Sequence, residues 1–200
     1  DEAFHFYYPE NLARLEALGA ELVRFSPVRD SEVPEVDGLY LGGGYPETVA
    51  AQLSGNGTML ESMRAFAGRG GPIYAECGGL MYLSQGIRNL EGEFFPMVGL
   101  FEGRCQMLPK LAALGYVEVE TQDRSILGGA GLRFRGHQFR YSELDPEPSD
   151  AERLYTLRRR RGNVRSLEGY RKGEVLASYI HAHWASNPNV AEGFVESCCR

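Results

Sequence analysis

The spacing of apolar residues changes along the chain, and each change marks an element. Ala3-Phe4-His5-Phe6-Tyr7-Tyr8 is a dense aromatic run that predicts a strand over Phe4–Tyr8. Tyr8-Pro9-Glu10-Asn11 then opens a helix with Leu12, Leu15 and Leu18 at helical spacing, stopped by Gly19. A second strand is predicted at Glu21–Phe25, then a polar loop over Ser26–Glu35. A third strand, Gly38–Leu41, runs into Gly42-Gly43-Gly44-Tyr45-Pro46-Glu47. Thr48–Leu53 and Thr58–Ala67 carry helical periodicity, Gly68–Gly71 interrupts it, and Pro72–Ala75 is a short apolar strand. Such alternation predicts an α/β fold, a doubly wound, mostly parallel sheet with helices on both faces. From Phe95 onward the pattern shifts. Gly115–Glu120, Gly131–Tyr141 and Glu168–Ile180 predict β segments joined by turns, an added antiparallel β region in the C-terminal half.

Composition narrows the class. Two hundred residues suit one domain, taken here as 1–200, with a core large enough to need no staples. Hydrophobic content of 43% and charged content of 24% are those of a globular chain. Glycine, 25 residues of 200, is well above the usual ~7% and points to tight turns and close backbone approaches. A net charge of −6 speaks against a nucleic-acid partner. No apolar run approaches the ~20 residues of a membrane span, so no membrane partner is expected. Cys77, Cys105, Cys198 and Cys199 are unevenly spaced and do not read as a disulfide framework, which fits a reducing cytoplasm. The chain enters strand-like sequence almost at once, from which we expect a domain excised from a longer polypeptide.

The sharpest chemical signal is Ile73-Tyr74-Ala75-Glu76-Cys77-Gly78-Gly79-Leu80-Met81. An apolar strand ends in a small-x-Cys-x-Gly step and turns into a helix, the layout of a nucleophile elbow. Ala75 and Gly79 supply the small neighbours that a strained turn needs, and the helix N-terminus favours a thiolate. The alternative is a buried structural cysteine at a Gly-rich turn. The Gly42–Gly44 loop ends a neighbouring strand, and active sites of such sheets gather at those ends. It lacks the Lys-Ser/Thr of a phosphate-binding loop, so backbone donors to an oxyanion fit better. A thiol nucleophile needs a base. Val175–Ile180 is a buried-strand run ending at His181-Ala182-His183-Trp184, which places a histidine at a strand end of the same sheet. His183 and His137 are secondary candidates, His5 reads as structural, and no third ligand stands at metal-binding spacing, so no metal is expected.

With these motifs assembled, the chain resembles the glutamine amidotransferase domain of the cobyrinic acid a,c-diamide synthase family. Ala3–Leu12, Asp37–Glu47, Pro72–Leu83, Arg135–Phe139 and Ala177–Pro188 carry the resemblance in one order over the whole length. It implies a class I amidotransferase-like (flavodoxin-like) fold that hydrolyses glutamine to glutamate and ammonia. It implies Cys77 as nucleophile, His181 as catalytic histidine, and an oxyanion hole from Gly43, Gly44 and Gly78. Broader class I relatives carry a Glu two residues after the histidine. Here that position is His183, so the resemblance implies a Cys-His dyad. The implied partner is an ATP-dependent synthetase domain, using ATP and Mg2+ and absent from this chain, which amidates a corrinoid (tetrapyrrole) acceptor.

Three rivals remain at this level. The same chemistry could serve nickel-sirohydrochlorin a,c-diamidation or cobyric acid synthesis. A cysteine peptidase or other hydrolase could use a similar fold. A flavodoxin-like binding module would leave Cys77 inert. The basic cluster Arg158-Arg159-Arg160-Arg161 with Arg165, Arg171 and Lys172 reads either as a solvated hairpin or as a docking surface for an acidic partner.

Overall fold

The computed structural model describes residues 1–159 and 165–200. Helix α1 (Pro9–Ala17) begins with proline in its first turn and an acidic Glu10 at its positive end. It stops where Gly19 takes a φ of 91°, a conformation open to glycine at little cost. Strand β1 (Leu39–Leu41) leads into a single 3-10 turn, Pro46–Val49, and then α2 (Ala50–Gly55) and α3 (Gly57–Gly68). The Asn56 side chain caps α3 by accepting from Met59 N–H. This crossover returns the chain to β2 (Ile73–Glu76), parallel to β1 with Leu39 opposite Ile73. Helix α4 (Gly78–Leu83) follows directly.

The second half is largely β. In order come β3 (Gly86–Arg88), β4 (Phe94–Pro96), β5 (Cys105–Met107), β6 (Ala113–Thr121), β7 (Arg133–Arg140) and β8 (Ser142–Leu144). Then come β9 (Glu152–Arg159), β10 (Arg165–Lys172), β11 (Val175–Ser178) and β12 (His181–His183). A 3-10 turn at Trp184–Ser186 and helix α5 (Asn189–Cys198) close the chain. Among the described residues there is an eight-stranded sheet ordered β1-β2-β11-β10-β9-β6-β7-β12 and a four-stranded one ordered β4-β3-β5-β8.

Helices cover both faces of the β1-β2-β11 part of the large sheet. Ile73 and Ala75 point into a core with Met59, Met63 and Phe66 of α3, while Tyr74 between them points into a second core with Leu15, Trp184 and Phe194. Burial on both faces explains why β2 and β11 read as continuous apolar runs rather than alternating ones.

The α/β class, the helices on both faces and the added antiparallel region stand as expected. Parallel pairing in the large sheet is confined to β1–β2 and β2–β11, the strands served by a helical crossover or its equivalent, and its other pairings are antiparallel. Two predicted strands are corrected. Phe4–Tyr8 makes only an isolated bridge, Phe6 to Gly43, because its aromatic residues pack against the Gly loop instead of forming a ladder. Glu21–Phe25 joins no sheet: Leu22 and Val23 are 37% and 47% exposed, so its β-branched and apolar residues have no face to pack on. Strand β9 and the small four-stranded sheet escaped the sequence reading, the latter because three-residue strands carry too little alternation to register.

Gly79 is the tightest point of contact between α4 and the sheet. A Cβ there would sit 2.7 Å from Leu41 O and 3.2 Å from the Ala75 Cβ, and backbone cannot move aside as a side chain can. Gly79→Ala should therefore destabilise the protein by about 1–3 kcal/mol, despite alanine's better helix propensity. Urea unfolding checks this; an unchanged or raised midpoint would show that α4 has room to shift.

Candidate functional site

The site is assembled at the C-terminal ends of β1, β2 and β11. Cys77 lies between β2 and α4 with φ 47° and ψ −97°, the sole positive φ of a non-glycine residue among those described. That conformation is strained for an L residue and persists only because its surroundings over-determine it. Cys77 N–H donates to Ser178 O at 2.7 Å, and its carbonyl accepts from Met81 N–H at 3.1 Å, so the turn is bonded to β11 on one side and α4 on the other. The thiol is 7% exposed, with the carbonyl of Phe139 at 3.8 Å from Sγ.

Burial pushes the Cys77 thiol up to about 12, the nearby Cys105 and Glu47 add to this, and the Gly78 N–H pulls the other way. The helix end does act in the expected direction through Gly78, but α4 is only six residues long and desolvation outweighs it. His181 shows the complementary shift. Burial, with a contribution from His137, brings it down to about 4. The resting pair is a neutral thiol and a neutral imidazole, an unprotonated base held beside the candidate nucleophile's loop.

The ring of His181 is held by shape. Phe6 presents its edge at 4.7 Å and an interplanar angle of 77°. Gly43 also lies against the ring, where a Cβ would collide with Cε1 and come within 2.8 Å of Nδ1. Nδ1 itself is buried, with no hydrogen-bond partner among the described residues. His137 faces His181 across the β7–β12 ladder, 6.5 Å between centroids, with Tyr116 on its other side. His183 stands on the same strand against Tyr8, at 5.1 Å. Cys77, His181, His183 and His137 are thus brought into one region.

The glycine loop divides its labour. Gly43 N–H donates to Phe6 O at 3.1 Å, so Gly43 is corrected from an oxyanion donor to a spacer for the imidazole. Gly44 and Gly78 touch, a Cβ on Gly78 lying 3.1 Å from Gly44 N. Neither N–H is given to another backbone carbonyl among the described residues, and that of Gly78 acts on the Cys77 thiol.

Three side chains absent from the sequence reading stand here. Glu76, fully buried one residue before Cys77, accepts from Tyr74 and Tyr40 hydroxyls at 3.0 Å each and from Ala182 N–H at 2.9 Å. Desolvation outweighs those bonds and raises its carboxyl to about 7. A Glu inside an otherwise apolar strand run was the available signal. Glu47 is half-buried and raised by burial. Arg140 lies 4.4 Å over the Tyr179 ring, donates to Ser142 O at 2.6 Å, and keeps a buried, unpartnered Nε.

Other features lie elsewhere. A groove of about 400 Å3 over Glu118, Glu120, Arg133, Arg135 and Arg158 shares no residue with the Cys77 region. Of the basic cluster, Arg158 pairs with Glu120, Arg171 with Asp123 and Glu152, and Lys172 with Asp150, as in a solvated face; Arg160 and Arg161 lie outside the described residues. Among the described residues no group of three or more His, Cys, Asp or Glu could hold a metal, and no helix is long and apolar enough to cross a membrane.

Comparison with known proteins agrees with this geometry. Residues 1–189 match the family of CobB/CobQ-like glutamine amidotransferase domains. The chain is 61% identical over 201 residues to the cobyrinate a,c-diamide synthase of Leptospira interrogans serogroup Icterohaemorrhagiae serovar copenhageni, covering 100% of this chain and 44% of that protein. It is 44% identical over 197 residues to the enzyme of the same name from Methanothermobacter thermautotrophicus, covering 98% of this chain and 43% of that protein. The chain thus spans less than half the length of these relatives. Among solved structures, a glutamine amidotransferase superposes with a TM-score of 0.68 at 22% identity, covering 96% of this chain and 93% of that one. PurLQS from Thermotoga maritima does so with a TM-score of 0.58 at 13% identity, over 94% and 91%. At these identities the likeness is one of fold.

The depressed His181 has a measurable consequence. Between about 6.5 and about 4 the unfolded chain binds a proton that the folded chain refuses, so this residue's effect on stability is a loss as pH falls through that window. In an NMR titration the His181 imidazole should stay neutral until near pH 4, and Gly43→Ala, which pushes the ring outward, should move its midpoint back toward the ordinary value. A wild-type midpoint at or above 6.5 would contradict the buried, unpartnered placement.

Proposed function

Because the chain belongs to the family of CobB/CobQ-like glutamine amidotransferase domains, we propose that it hydrolyses glutamine to glutamate and ammonia through Cys77 and His181. The ammonia serves a,c-diamidation of a cobyrinate-type corrinoid acceptor by the part of the polypeptide outside this chain. The observation that carries the reading is Cys77 held at a left-handed elbow between strand and helix, in one region with an unprotonated His181.

The chemistry follows from the arrangement. Neutral His181 takes the Cys77 proton as Sγ attacks the side-chain carbonyl carbon of glutamine, so the thiolate exists only as the bond forms. The carbonyl oxygen becomes an oxyanion beside the Gly44 and Gly78 N–H groups, whose orientation is fixed by the backbone before substrate arrives. Protonated His181 returns its proton to the departing nitrogen, and ammonia leaves. A water, deprotonated by His181, attacks the γ-glutamyl thioester, and the Cys77 thiol is restored as glutamate departs. Glu47 and Arg140 offer a carboxylate and a guanidinium for the α-ammonium and α-carboxylate of the substrate. ATP and its Mg2+ are assigned to the part of the polypeptide outside this chain, which spans only 44% of a relative named cobyrinate a,c-diamide synthase. Relatives named for cobyrinate favour that acceptor over nickel-sirohydrochlorin.

Cys77→Ala should abolish glutamate release while the full-length protein still amidates its acceptor when free ammonia is supplied in excess. Glutamate release near the wild-type rate, or failure of ammonia to restore product, would count against the reading. His181→Asn should lower kcat for glutaminase by about 10²–10⁴-fold, the range of a general base, and His183→Asn by less than about tenfold. Equal losses at the two positions would place the base on the wrong imidazole.

A further inference from the structure

His181 rides on β12, a three-residue strand at the end of the large sheet, with β7 along one edge and, among the described residues, no strand along the other. On that open edge two buried side chains take the place of a neighbouring strand. Glu76 Oε1 accepts the Ala182 N–H at 2.9 Å, and Asn11 Nδ2 donates to the Ala182 carbonyl at 2.8 Å. Asn11 Oδ1 also accepts from Trp184 N–H at 2.9 Å, and its Nδ2 lies 3.2 Å from the Tyr40 hydroxyl that donates to Glu76. Both Glu76 and Asn11 are fully buried.

Resting on the glutaminase reading, we propose that Glu76 is a positioning residue for His181, fixing the backbone of β12 from the end of β2. The Nδ1 of His181 is buried and has no hydrogen-bond partner among the described residues. The constraint therefore reaches the ring through its backbone. Glu76 is covalently bonded to Cys77, so one residue ties the segment of the candidate base to the segment of the candidate nucleophile.

The charge has a reason. Three donors converge on the carboxylate: the Tyr74 hydroxyl, the Tyr40 hydroxyl and the Ala182 N–H. In its ionised form, which prevails above about pH 7, the carboxylate accepts from all three, whereas an amide would turn an NH2 toward at least one of them. A carboxylate placed in this interior without such a purpose would be a costly choice, because apolar packing at the same position stabilises as well or better. Misplacement of a catalytic group by ~1 Å costs on the order of 10²-fold in rate, which sets the expected scale.

The test compares Glu76→Ala, Glu76→Gln, His181→Asn and the Glu76→Ala/His181→Asn double variant in the full-length protein. Glu76→Ala should lower glutaminase kcat by about 10²-fold with KM changed less than about threefold. Glu76→Gln, which keeps an acceptor for Ala182 N–H, should recover about tenfold of that loss. Alkylation of Cys77 by iodoacetamide, followed by mass spectrometry of its peptide, reads the base without glutamine turnover. Glu76→Ala should slow it as much as His181→Asn does, and the double variant should be no slower than either. Additive slowing in the double variant, unchanged alkylation in Glu76→Ala, or a kcat loss matched by an equal rise in KM would overturn the proposal. Should Glu76→Ala fail to fold, Glu76→Gln against Glu76→Gln/His181→Asn applies the same additivity criterion. A wild-type protein without glutaminase activity whose Cys77 alkylation still follows this pattern would sink the glutaminase reading and leave the positioning role standing.

Discussion

Everything at the candidate site depends on one strained peptide, the left-handed turn at Cys77. Holding a side chain there costs about 1–3 kcal/mol of backbone strain, and the surroundings must supply it. They do so by crowding. Gly79 brings α4 onto the carbonyl of Leu41, Gly78 brings the turn onto Gly44, and Gly43 brings the same loop onto the His181 ring. At each contact a Cβ would stand where another atom already is, so the glycines reflect distance between backbones more than flexibility. The Cys77 N–H bond to Ser178 then locks the turn to β11, whose continuation carries His181.

Burial sets the electrostatics. The same exclusion of water raises Cys77 and lowers His181, so the two groups rest neutral and charge appears only when a proton passes between them. Two buried carboxylates of this region act on backbone. Glu76 takes the Ala182 N–H, and Glu168, also buried, takes the Tyr179 N–H at 2.7 Å and the Ser178 hydroxyl. Between them they hold the turn from β11 to β12, where no sheet ladder could. Behind this turn, Trp184 stacks on Tyr40 at 5.1 Å and 15°, and Tyr74 and Phe194 close the cluster, which gives the polar network an apolar wall.

The rim of the site has a different character. Tyr116 is 79% exposed beside His137, and Phe139, whose carbonyl meets the Cys77 thiol, is accompanied by an exposed Tyr141. These aromatic residues sit on β6, β7 and just beyond β7, the strands next to β12, which carries His181. The antiparallel half of the molecule thus supplies the walls of a site whose floor comes from the parallel half.

What was legible in the chain is what depends on near neighbours. Helix α1 with its proline start and glycine stop, the doubly buried β2 and β11, the elbow at Cys77 and the glycine loop all follow from periodicity and turn chemistry within a dozen residues. The histidine at the end of β11's run was legible for the same reason. What the tertiary structure alone decided is how those pieces face one another. Phe4–Tyr8 has every mark of a strand and instead packs against the Gly loop, with Phe6 bridged to Gly43 and the Tyr7 ring lying on Gly42. Gly43 reads as a donor until Phe6 claims its N–H. Glu76 reads as an odd charge in an apolar run until Ala182, 106 residues away, arrives with an unpaired N–H. Hydrogen bonds and desolvation act over a few ångströms of space with no regard for sequence separation, so the state of His181, the role of Gly43 and the purpose of Glu76 exist only once the chain has folded.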